Sequence, residues 1–423
     1  MSAILQEPNP TTLRWGIMGT ANIAKKNARA MALCKSAELV AVASRDLERC
    51  KSWVAEFACR PKDSQVSCYG SYEELLADSS VDAIYLPLPT VMHLEWAVKV
   101  AQAGKHLLIE KPVGVRKEEV LAIVSACEAA GVMFMDGVMF MHHPRLKKVE
   151  ELIWGDPAEQ ASMKGGSVQR VTTAFSFRGD APFFRGNIRA LANGDPLGCV
   201  GDLGIYCIRI GLVAFGYRLP RSVRCFKMRR NAAGVPIDAT FECYWDWVDN
   251  AADFRPAGDS DGGGRDRSGK GGGEYMTVEP TLHVHCSFVH TFRQHVEIAG
   301  GNRRLLMDDF VISDPSDACR ITVERDRGLA DLDTVPCRDI KCYAFPGVVQ
   351  EANMFATFAA EAVRHIANPG ATSSSGRAHP NPTAGAPEDK GRAFWTVVAV
   401  QTQAVLDAVM SSAATDGVEV QVQ

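Results

Sequence analysis

Three features are missing from this sequence, and each absence excludes a class of protein. There is no surplus of positive charge, since the net charge at neutral pH is −4, and so nothing in the composition favours nucleic-acid binding. There is no uninterrupted apolar run of about 18 residues or more, and we therefore expect no membrane contact. The N-terminal "MSAILQEPNPTT" lacks the charged segment and apolar core of a secretory signal, so none is expected.

Paired cysteine motifs are also missing. The 13 cysteines are odd in number, scattered along the chain and never spaced as C-x-x-C. Several, such as Cys207 and Cys286, lie in predicted core elements. Reduced, buried thiols fit this distribution better than a disulfide framework does, and we therefore expect a cytoplasmic location.

The length and the hydrophobic pattern predict two domains. A chain of 423 residues is longer than a typical single domain. Residues 1–140 alternate continuously apolar runs with helical patterns, which predicts the α/β class: a Rossmann doubly wound parallel sheet. Residues 141–423 predict an α+β domain with a largely antiparallel open sheet, including a hairpin at Gly300-Gly301-Asn302. Two polar stretches, near 251–275 and 370–391, are predicted to be mobile insertions.

The turn after the first predicted strand lacks the glycines of a dinucleotide fingerprint. That fingerprint is G-x-G-x-x-G, whereas the chain reads Gly19-Thr20-Ala21-Asn22-Ile23-Ala24. Each alanine adds one methyl group where backbone or helix must approach closely. Taken alone, the turn is as consistent with a strand-to-helix turn of no function as with a cofactor site. The candidate cofactor-binding residues here are Gly19, Thr20, Ala21, Asn22 and Ile23.

The end of the second predicted strand indicates which cofactor would bind. An NAD site usually places an acidic side chain there to bind the ribose 2′-hydroxyl, but this chain has Ser44 and Arg45. A hydroxyl and a guanidinium suit a 2′-phosphate, which favours NADP. Asp46 follows directly and keeps NAD possible, and a solvated loop arginine is the alternative interpretation.

Two further motifs lie where parallel strands are predicted to end, which is where ligands bind in such sheets. "YLPLPTVMH" places Pro87, Pro89 and His93 beside the expected cleft. "IEKPVG" places Glu110 and Lys111 at the end of the next strand. Lys111 precedes a proline at the end of a central strand, and we therefore expect it to be a functional residue.

The second domain contributes a polar pair. "GDLGIYCIRIG" places Asp202 and Tyr206 four residues apart, so a helix would present both on one face. An aspartate near a helix start is as often a cap, and a tyrosine at this spacing is often a core residue. Their occurrence with Lys111 and a dinucleotide domain favours a catalytic set.

These motifs carry a family resemblance. "EKPVG", "PLPTVMH", "NIR" and "GDLGIYCI" resemble the glucose–fructose oxidoreductase / inositol dehydrogenase / MocA (Gfo/Idh/MocA) family over nearly the whole chain except the two insertions. The chain most resembles a plant-type branch of uncharacterised oxidoreductases. More distantly it is similar to dimeric dihydrodiol dehydrogenases, which also oxidise D-xylose with NADP.

The resemblance implies roles for particular residues. It makes the second fingerprint glycine dispensable, places Lys111 near the nicotinamide ribose and the substrate, and makes Tyr206 the acid/base with Asp202 beside it. Asn187 and Arg189 would flank the substrate pocket, and Phe140 would form part of its wall. Separately from the resemblance, His142 lies before Pro144 in a predicted domain-linking turn, and the alternative is that it faces the cleft. Relatives often have tryptophan at the position of Phe140, so the pocket wall is expected to differ. A homodimer formed through the exposed sheet face is also implied.

The leading hypothesis is an NADP-dependent oxidoreductase that acts on a secondary alcohol or carbonyl of a sugar, cyclic polyol or dihydrodiol. We expect the positive charge of Lys111 to lower the pKa of Tyr206 from about 10 towards the working pH. The alternatives are a non-catalytic NADP-binding regulator of the same fold and an NAD-using sugar dehydrogenase.

The remaining histidines do not predict a metal site. His283 and His285 alternate on one predicted strand face, and His290 and His295 follow them. Because no Cys, Asp or His partner occurs at a convincing spacing, no metal is expected.

Overall fold

A computed structural model describes residues 12–57, 65–155, 168–246, 279–300, 303–314, 317–326, 338–367 and 391–423. Both insertions predicted from the sequence, apart from Gly391, lie outside the described residues, as does the Gly301-Asn302 turn.

The N-terminal domain is built on a six-stranded parallel sheet with the order β3-β2-β1-β4-β5-β6. Strands β4, β5 and β6 are buried along their whole length, as expected for a sheet covered on both faces. The order reverses between β1 and β4, and this reversal opens a crevice at the carboxyl ends of the strands. The strands are β1 (Leu13–Met18), β2 (Ala37–Ala43), β3 (Ser67–Tyr69), β4 (Ala83–Leu86), β5 (His106–Ile109) and β6 (Phe134–Asp136).

The second domain is built on a nine-stranded sheet with the order β14-β13-β12-β11-β7-β10-β9-β8-β15, in which β7 and β10 form the parallel pair. The strands are β7 (Arg170–Arg178), β8 (Ser222–Arg230), β9 (Pro236–Tyr244), β10 (Thr281–Ser287), β11 (Val289–Gly300), β12 (Arg303–Met307), β13 (Cys319–Asp326), β14 (Arg338–Phe345) and β15 (Val420–Gln421). The antiparallel register of β11 and β12, which pairs Gly300 with Arg303, agrees with the predicted hairpin.

Helices cover the N-terminal sheet and one face of the second sheet. They are α1 (Asn22–Leu33), α2 (Leu47–Phe57), α3 (Tyr72–Ala77), α4 (His93–Gln102), α5 (Lys117–Ala129), α6 (Pro144–Glu150), α7 (Ala181–Gly186), α8 (Ile205–Ala214), α9 (Gln350–Ala367) and α10 (Arg392–Ala414). The sequence predicted one helix over "DLGIYCIRIGLVAFG". Instead, a π-helical turn, Val200–Gly204, leads directly into α8.

The last two helices pack back onto the first domain. α9 contacts α1, and α10 contacts α5 and β6 as well as β8. The indole of Trp15 on β1 packs against Phe355 and Phe358 of α9, with ring centroids 4.9 Å apart in both pairs. One continuous core therefore joins the two sheets.

α10 is the one helix in the described ranges that is long and apolar enough to cross a membrane, with a mean hydropathy of 1.3 over Ala393–Ala414. Two-thirds of that stretch is buried in the protein interior. Packing between the two domains therefore accounts for its apolar composition.

The fold class predicted from the sequence is confirmed. The boundary predicted between residues 140 and 141 falls inside a short 3-10 helix, Met139–His142, and stays a prediction. The cysteines in the described ranges are free thiols, and most of them are buried.

Candidate active site

A cavity of about 840 Å³ lies at the carboxyl edge of the parallel sheet, between the two domains. The fingerprint turn and Arg45 lie on one side, and Asp202 and Tyr206 lie on the other. The cavity has the size of a typical cofactor or ligand site. It brings together most of the residues predicted from the sequence.

Gly19 occupies the first glycine position of the fingerprint, and the backbone conformation there requires glycine. Its φ of +107° disfavours any side chain, and a Cβ there would lie 2.9 Å from Leu88 Cδ2. Ala21 has φ −66° and ψ 158°, which any residue adopts, and it precedes the first residue of α1. The conformation of the turn therefore tolerates alanine at the second glycine position.

The start of α1 faces the cavity. Thr20, Ala21, Asn22 and Ile23 line the cavity, and the first turn of α1 carries no acidic residue. The positive end of the helix dipole therefore points towards the cavity, which favours an anionic group there.

The tip of β2 presents cations to the cavity. Ser44, Arg45 and Arg49 line it, together with Tyr72. Asp46 also lines the cavity, but its Oδ1 accepts the backbone N–H groups of Glu48 at 3.0 Å and Arg49 at 3.1 Å. The carboxylate that kept NAD possible is therefore engaged in capping α2.

The loop after β4 corrects one prediction. Pro87 and Pro89 line the cavity, but His93 is fully buried and is not among the lining residues. Its Nε2 lies 2.8 Å from the carbonyl of Leu88, and its Nδ1 lies 3.0 Å from that of Pro112. His93 therefore joins the loops that follow β4 and β5, and it does not contact a ligand in the cavity.

An ion cluster lies where the two domains meet. Lys111 Nζ lies 2.6 Å from Asp202 Oδ1 and donates to the carbonyl of Asp202 at 3.0 Å. Arg189 Nε lies 3.0 Å from the same Oδ1. Burial alone would raise the pKa of Asp202, but the two cations hold it below its ordinary value. Burial would likewise lower the pKa of Lys111, but Asp202 keeps it raised. The cluster is therefore charged at neutral pH.

Tyr206 lies beside this cluster and remains protonated. Lys111 Nζ is 5.0 Å from the centroid of its ring, and its hydroxyl contacts Met139 Sδ at 3.6 Å. Burial raises the pKa of Tyr206 to about 12, and Lys111 offsets only part of that rise. The expectation that Lys111 lowers this pKa towards neutrality is wrong. The charge of Lys111 is matched by Asp202, and the phenol is buried.

Glu110, a half-buried residue that lines the cavity, is the neighbour of Lys111 in this cluster. Burial raises its pKa, although Lys111 and the hydroxyl of Tyr85 act in the opposite direction. Tyr85 donates to Glu110 Oε1 at 2.6 Å and accepts from Asn27 Nδ2 at 2.7 Å. Glu110 therefore connects the floor of the cavity to α1.

Two predicted substrate residues do not line the cavity, whereas two others do. Phe140 is buried and packs behind Tyr206, with ring centroids 6.2 Å apart. His142 is stacked on Trp395, with ring centroids 4.8 Å apart. Asn187 and Arg189 line the cavity as expected. The segment after β6 therefore supports Tyr206 from behind.

Sequence reasoning missed several lining residues that come from distant parts of the chain. Thr90 donates both its hydroxyl and its backbone N–H to Asp195 Oδ1 across the domain junction. Lys26 Nζ of α1 lies 2.7 Å from Glu351 Oε1 of α9. Arg49 follows Arg45 by four residues, and this helical spacing was the one available signal.

Residues 13–138 match the model of the oxidoreductase family with an NAD-binding Rossmann fold, GFO_IDH_MocA. The N-terminal domain of this chain is therefore similar to that family. It is similar to D-xylose 1-dehydrogenase (NADP(+)) 2 of Haloferax volcanii, at 35% identity over 48% of this chain and 58% of the relative. It is also similar to trans-1,2-dihydrobenzene-1,2-diol dehydrogenase of Mus musculus, at 30% identity over 50% of this chain and 60% of the relative.

The resemblance inferred from the sequence is thus confirmed over residues 13–138, and the chain spans 58% and 60% of the length of these two relatives. Among solved structures, a 3-ketoreductase from Actinomadura kijaniata in complex with NADP and TDP-benzene has a TM-score of 0.68. It shares 20% identity, with 95% of this chain and 98% of that chain covered. At this identity the likeness confirms the fold of both domains.

Proposed function

We propose that this protein is an NADP-dependent oxidoreductase that acts on a secondary alcohol or carbonyl group of a sugar, cyclic polyol or dihydrodiol. The observation that carries the proposal is the meeting of Lys111, Asp202 and Tyr206 in the same cavity as the start of α1 and Arg45. A hydride-transfer enzyme needs a dinucleotide site and a proton-transfer group to face one space.

The lining residues fit a dinucleotide with a 2′-phosphate. The start of α1 would hold the pyrophosphate. The turn that leads into α1 needs glycine at position 19, because a Cβ there would clash with Leu88. Ser44, Arg45 and Arg49 would hold the 2′-phosphate, since Asp46 is turned into the start of α2. When bound, NADP(H) supplies the site that accepts or donates the hydride.

The chain itself supplies the proton and holds the reacting group in place. Tyr206 is neutral at physiological pH, so its hydroxyl can donate to a carbonyl oxygen as a general acid. Lys111, held by Asp202, places a positive charge where negative charge develops on that oxygen. This protonation state favours carbonyl reduction. Alcohol oxidation needs the phenolate and therefore a higher pH.

The part of the cavity formed by the second domain has the chemistry to bind a ring-shaped substrate with polar and apolar faces. Phe175, Phe177 and Phe292 line the cavity, and Phe175 packs on Tyr206 with ring centroids 5.7 Å apart. Aromatic side chains suit the C–H face of a sugar, polyol or diol ring, whereas Asn187 and Arg189 suit its hydroxyl groups. The relatives named for D-xylose and a dihydrodiol support this class. A cytoplasmic homodimer without nucleic-acid or membrane partners completes the proposal.

The test is a turnover assay followed by NADPH absorbance with D-xylose, D-glucose, scyllo-inositol, a trans-dihydrodiol and their keto forms. We expect turnover with at least one substrate and NADP(H), and a much slower rate with NAD(H). Tight NADPH binding without turnover on any member would favour the regulator instead. Equal rates with both cofactors would remove the assigned role of Arg45.

A further inference from the structure

The outer face of the second sheet, away from the helices, is the face through which the homodimer is expected to form, and in the single chain it carries a second cluster of polar, metal-ligating side chains. It consists of Asp238 on β9, His285 on β10 and His290 at the start of β11. Asp238 is directly paired with Ser287, so His285 is its diagonal neighbour on the same face. His290 follows the turn between β10 and β11, and its ring centroid lies 5.0 Å from that of His285.

We propose that Asp238, His285 and His290 form a binding site for a divalent transition metal ion, with Zn²⁺ as the ion of choice. The site is separate from the cavity, and the proposal does not depend on the proposed enzymatic function.

The distances from Asp238 to the two imidazoles are close to those between the ligands of a tetrahedral site. Zn²⁺ lies about 2.0–2.2 Å from nitrogen and oxygen ligands, which places two tetrahedral ligands about 3.3–3.5 Å apart. Asp238 Oδ1 lies 3.1 Å from His285 Nε2 and 3.6 Å from His290 Nε2. All three ligand atoms lie within 4.8 Å of one another. The side chain of His290 is 53% exposed and therefore has room to rotate the short distance required.

The two oxygens of the Asp238 carboxylate have different partners. Its side chain is 1% exposed, so the carboxylate is held in one orientation. Lys227 Nζ lies 3.1 Å from Oδ2, whereas both imidazoles approach Oδ1. Lys227 thus orients the carboxylate from one oxygen and leaves the other to the metal, in the manner of an outer-shell partner.

The donor set selects the kind of ion. Two imidazole nitrogens and one carboxylate oxygen suit Zn²⁺ and its neighbours in the transition series, whereas Mg²⁺ and Ca²⁺ prefer oxygen donors. Three protein ligands leave one position for water. Sequence analysis predicted no metal site, since Asp238 lies far from both histidines along the chain and only the strand pairing brings it close to them.

The same face provides matched controls. His283 Nδ1 lies 3.1 Å from Glu242 Oε1, and His295 Nδ1 lies 2.9 Å from Asp308 Oδ1. Each is an imidazole beside one carboxylate, like His285, but neither belongs to a three-ligand group in the described part of the chain. If only the alanine variants of His285 and His290 weaken Zn²⁺ binding, the ion is therefore bound by the three-ligand site and not by any histidine beside a carboxylate.

The experiment is calorimetric titration of Zn²⁺ into the full chain, freed of metal by chelation and carrying no polyhistidine tag. A Cys342→Ser background removes the exposed thiol. We expect one ion per chain, and at least tenfold weaker binding in His285→Ala and in His290→Ala. His283→Ala and His295→Ala should bind as the parent does. Co²⁺ should give the ligand-field absorption of a tetrahedral nitrogen–oxygen site without thiolate charge transfer.

Several outcomes would overturn the proposal. These are equal Zn²⁺ affinity in all four histidine variants, a loss confined to the His283 or His295 variant, or thiolate charge transfer with Co²⁺. Because His290 is half-exposed, its alanine variant should fold normally, and circular dichroism checks this directly.

Discussion

At the scale of single residues, the protonation state of Tyr206 makes the sharpest prediction. Replacing it with phenylalanine removes the hydroxyl while keeping the ring that packs on Phe175. We expect Tyr206→Phe to lower turnover by about 10²–10⁴, the usual contribution of a positioned proton donor, with NADPH affinity unchanged. Steady-state kinetics and NADPH fluorescence titration measure the two effects. Tyr343→Phe, on β14, is the matched control, and near-parental turnover in Tyr206→Phe would remove this residue from the mechanism.

The raised pKa of Tyr206 also fixes the pH dependence. Below about pH 12 the phenol keeps its proton, so the reductive rate at saturating NADPH should stay level from about pH 6 to 9. The oxidative rate needs the phenolate and should rise about tenfold for each pH unit over the same range. Initial rates in both directions measure this. A plateau in oxidation near neutral pH would show that Lys111 lowers the pKa after all.

Arg45 and Arg49 determine the choice of cofactor in our proposal. A charge-assisted hydrogen bond contributes about 1.5–3 kcal/mol, so Arg45→Ala should weaken NADP binding roughly 10- to 100-fold and leave NAD binding nearly unchanged. Arg45→Ala/Arg49→Ala should weaken it further. Lys51→Ala removes a cation from the same helix and is the control, because Lys51 does not line the cavity. Titration of each variant with NAD and with NADP measures both affinities. An equal loss of affinity for the two cofactors would show that the arginines have a structural role and do not bind the 2′-phosphate.

At the scale of elements, His93 shows how a loop motif can serve structure instead of chemistry. His93→Ala would leave the carbonyls of Leu88, Pro112 and Val113 without this partner. We expect the free energy of unfolding to fall by about 2–4 kcal/mol. Urea denaturation measures the loss, and His283→Ala, on the half-exposed sheet face, should cost far less. Unchanged stability in His93→Ala would argue against its role in joining the loops.

The same elements indicate how far the sequence could predict the site. Strand ends are readable from apolar runs, and so Gly19, Arg45 and Lys111 were placed at the correct edge. The orientation of a side chain in a loop cannot be predicted from such runs. The sequence therefore assigns His93, Phe140 and His142 to the cavity, although their side chains point elsewhere. Contacts between distant segments, such as the ion pair of Lys26 with Glu351, cannot be predicted from the sequence around either residue.

At the scale of the whole molecule, the two predicted domains share one core. Burial on one face of the parallel sheet depends on α9, because Phe355 and Phe358 cover Trp15, which is fully buried. A chain cut after residue 140 would expose this surface to water. Removing the apolar contacts of even one large side chain costs several kcal/mol, a large share of the usual 5–15 kcal/mol of net stability.

We therefore expect the two domains to unfold together. Phe355→Ala should lower the free energy of unfolding by about 3–5 kcal/mol. The loss of helical circular dichroism and the loss of NADPH binding should follow the same urea curve, in the parent and in the variant. The exposed Phe226→Ala, on the second sheet, should leave that curve nearly unchanged. If the fragment 1–140 folded and bound NADPH alone, or if the two signals separated, the N-terminal sheet would be independent of α9. The shared core would then contribute to the placement of Tyr206 over Lys111 but not to the stability of the Rossmann domain.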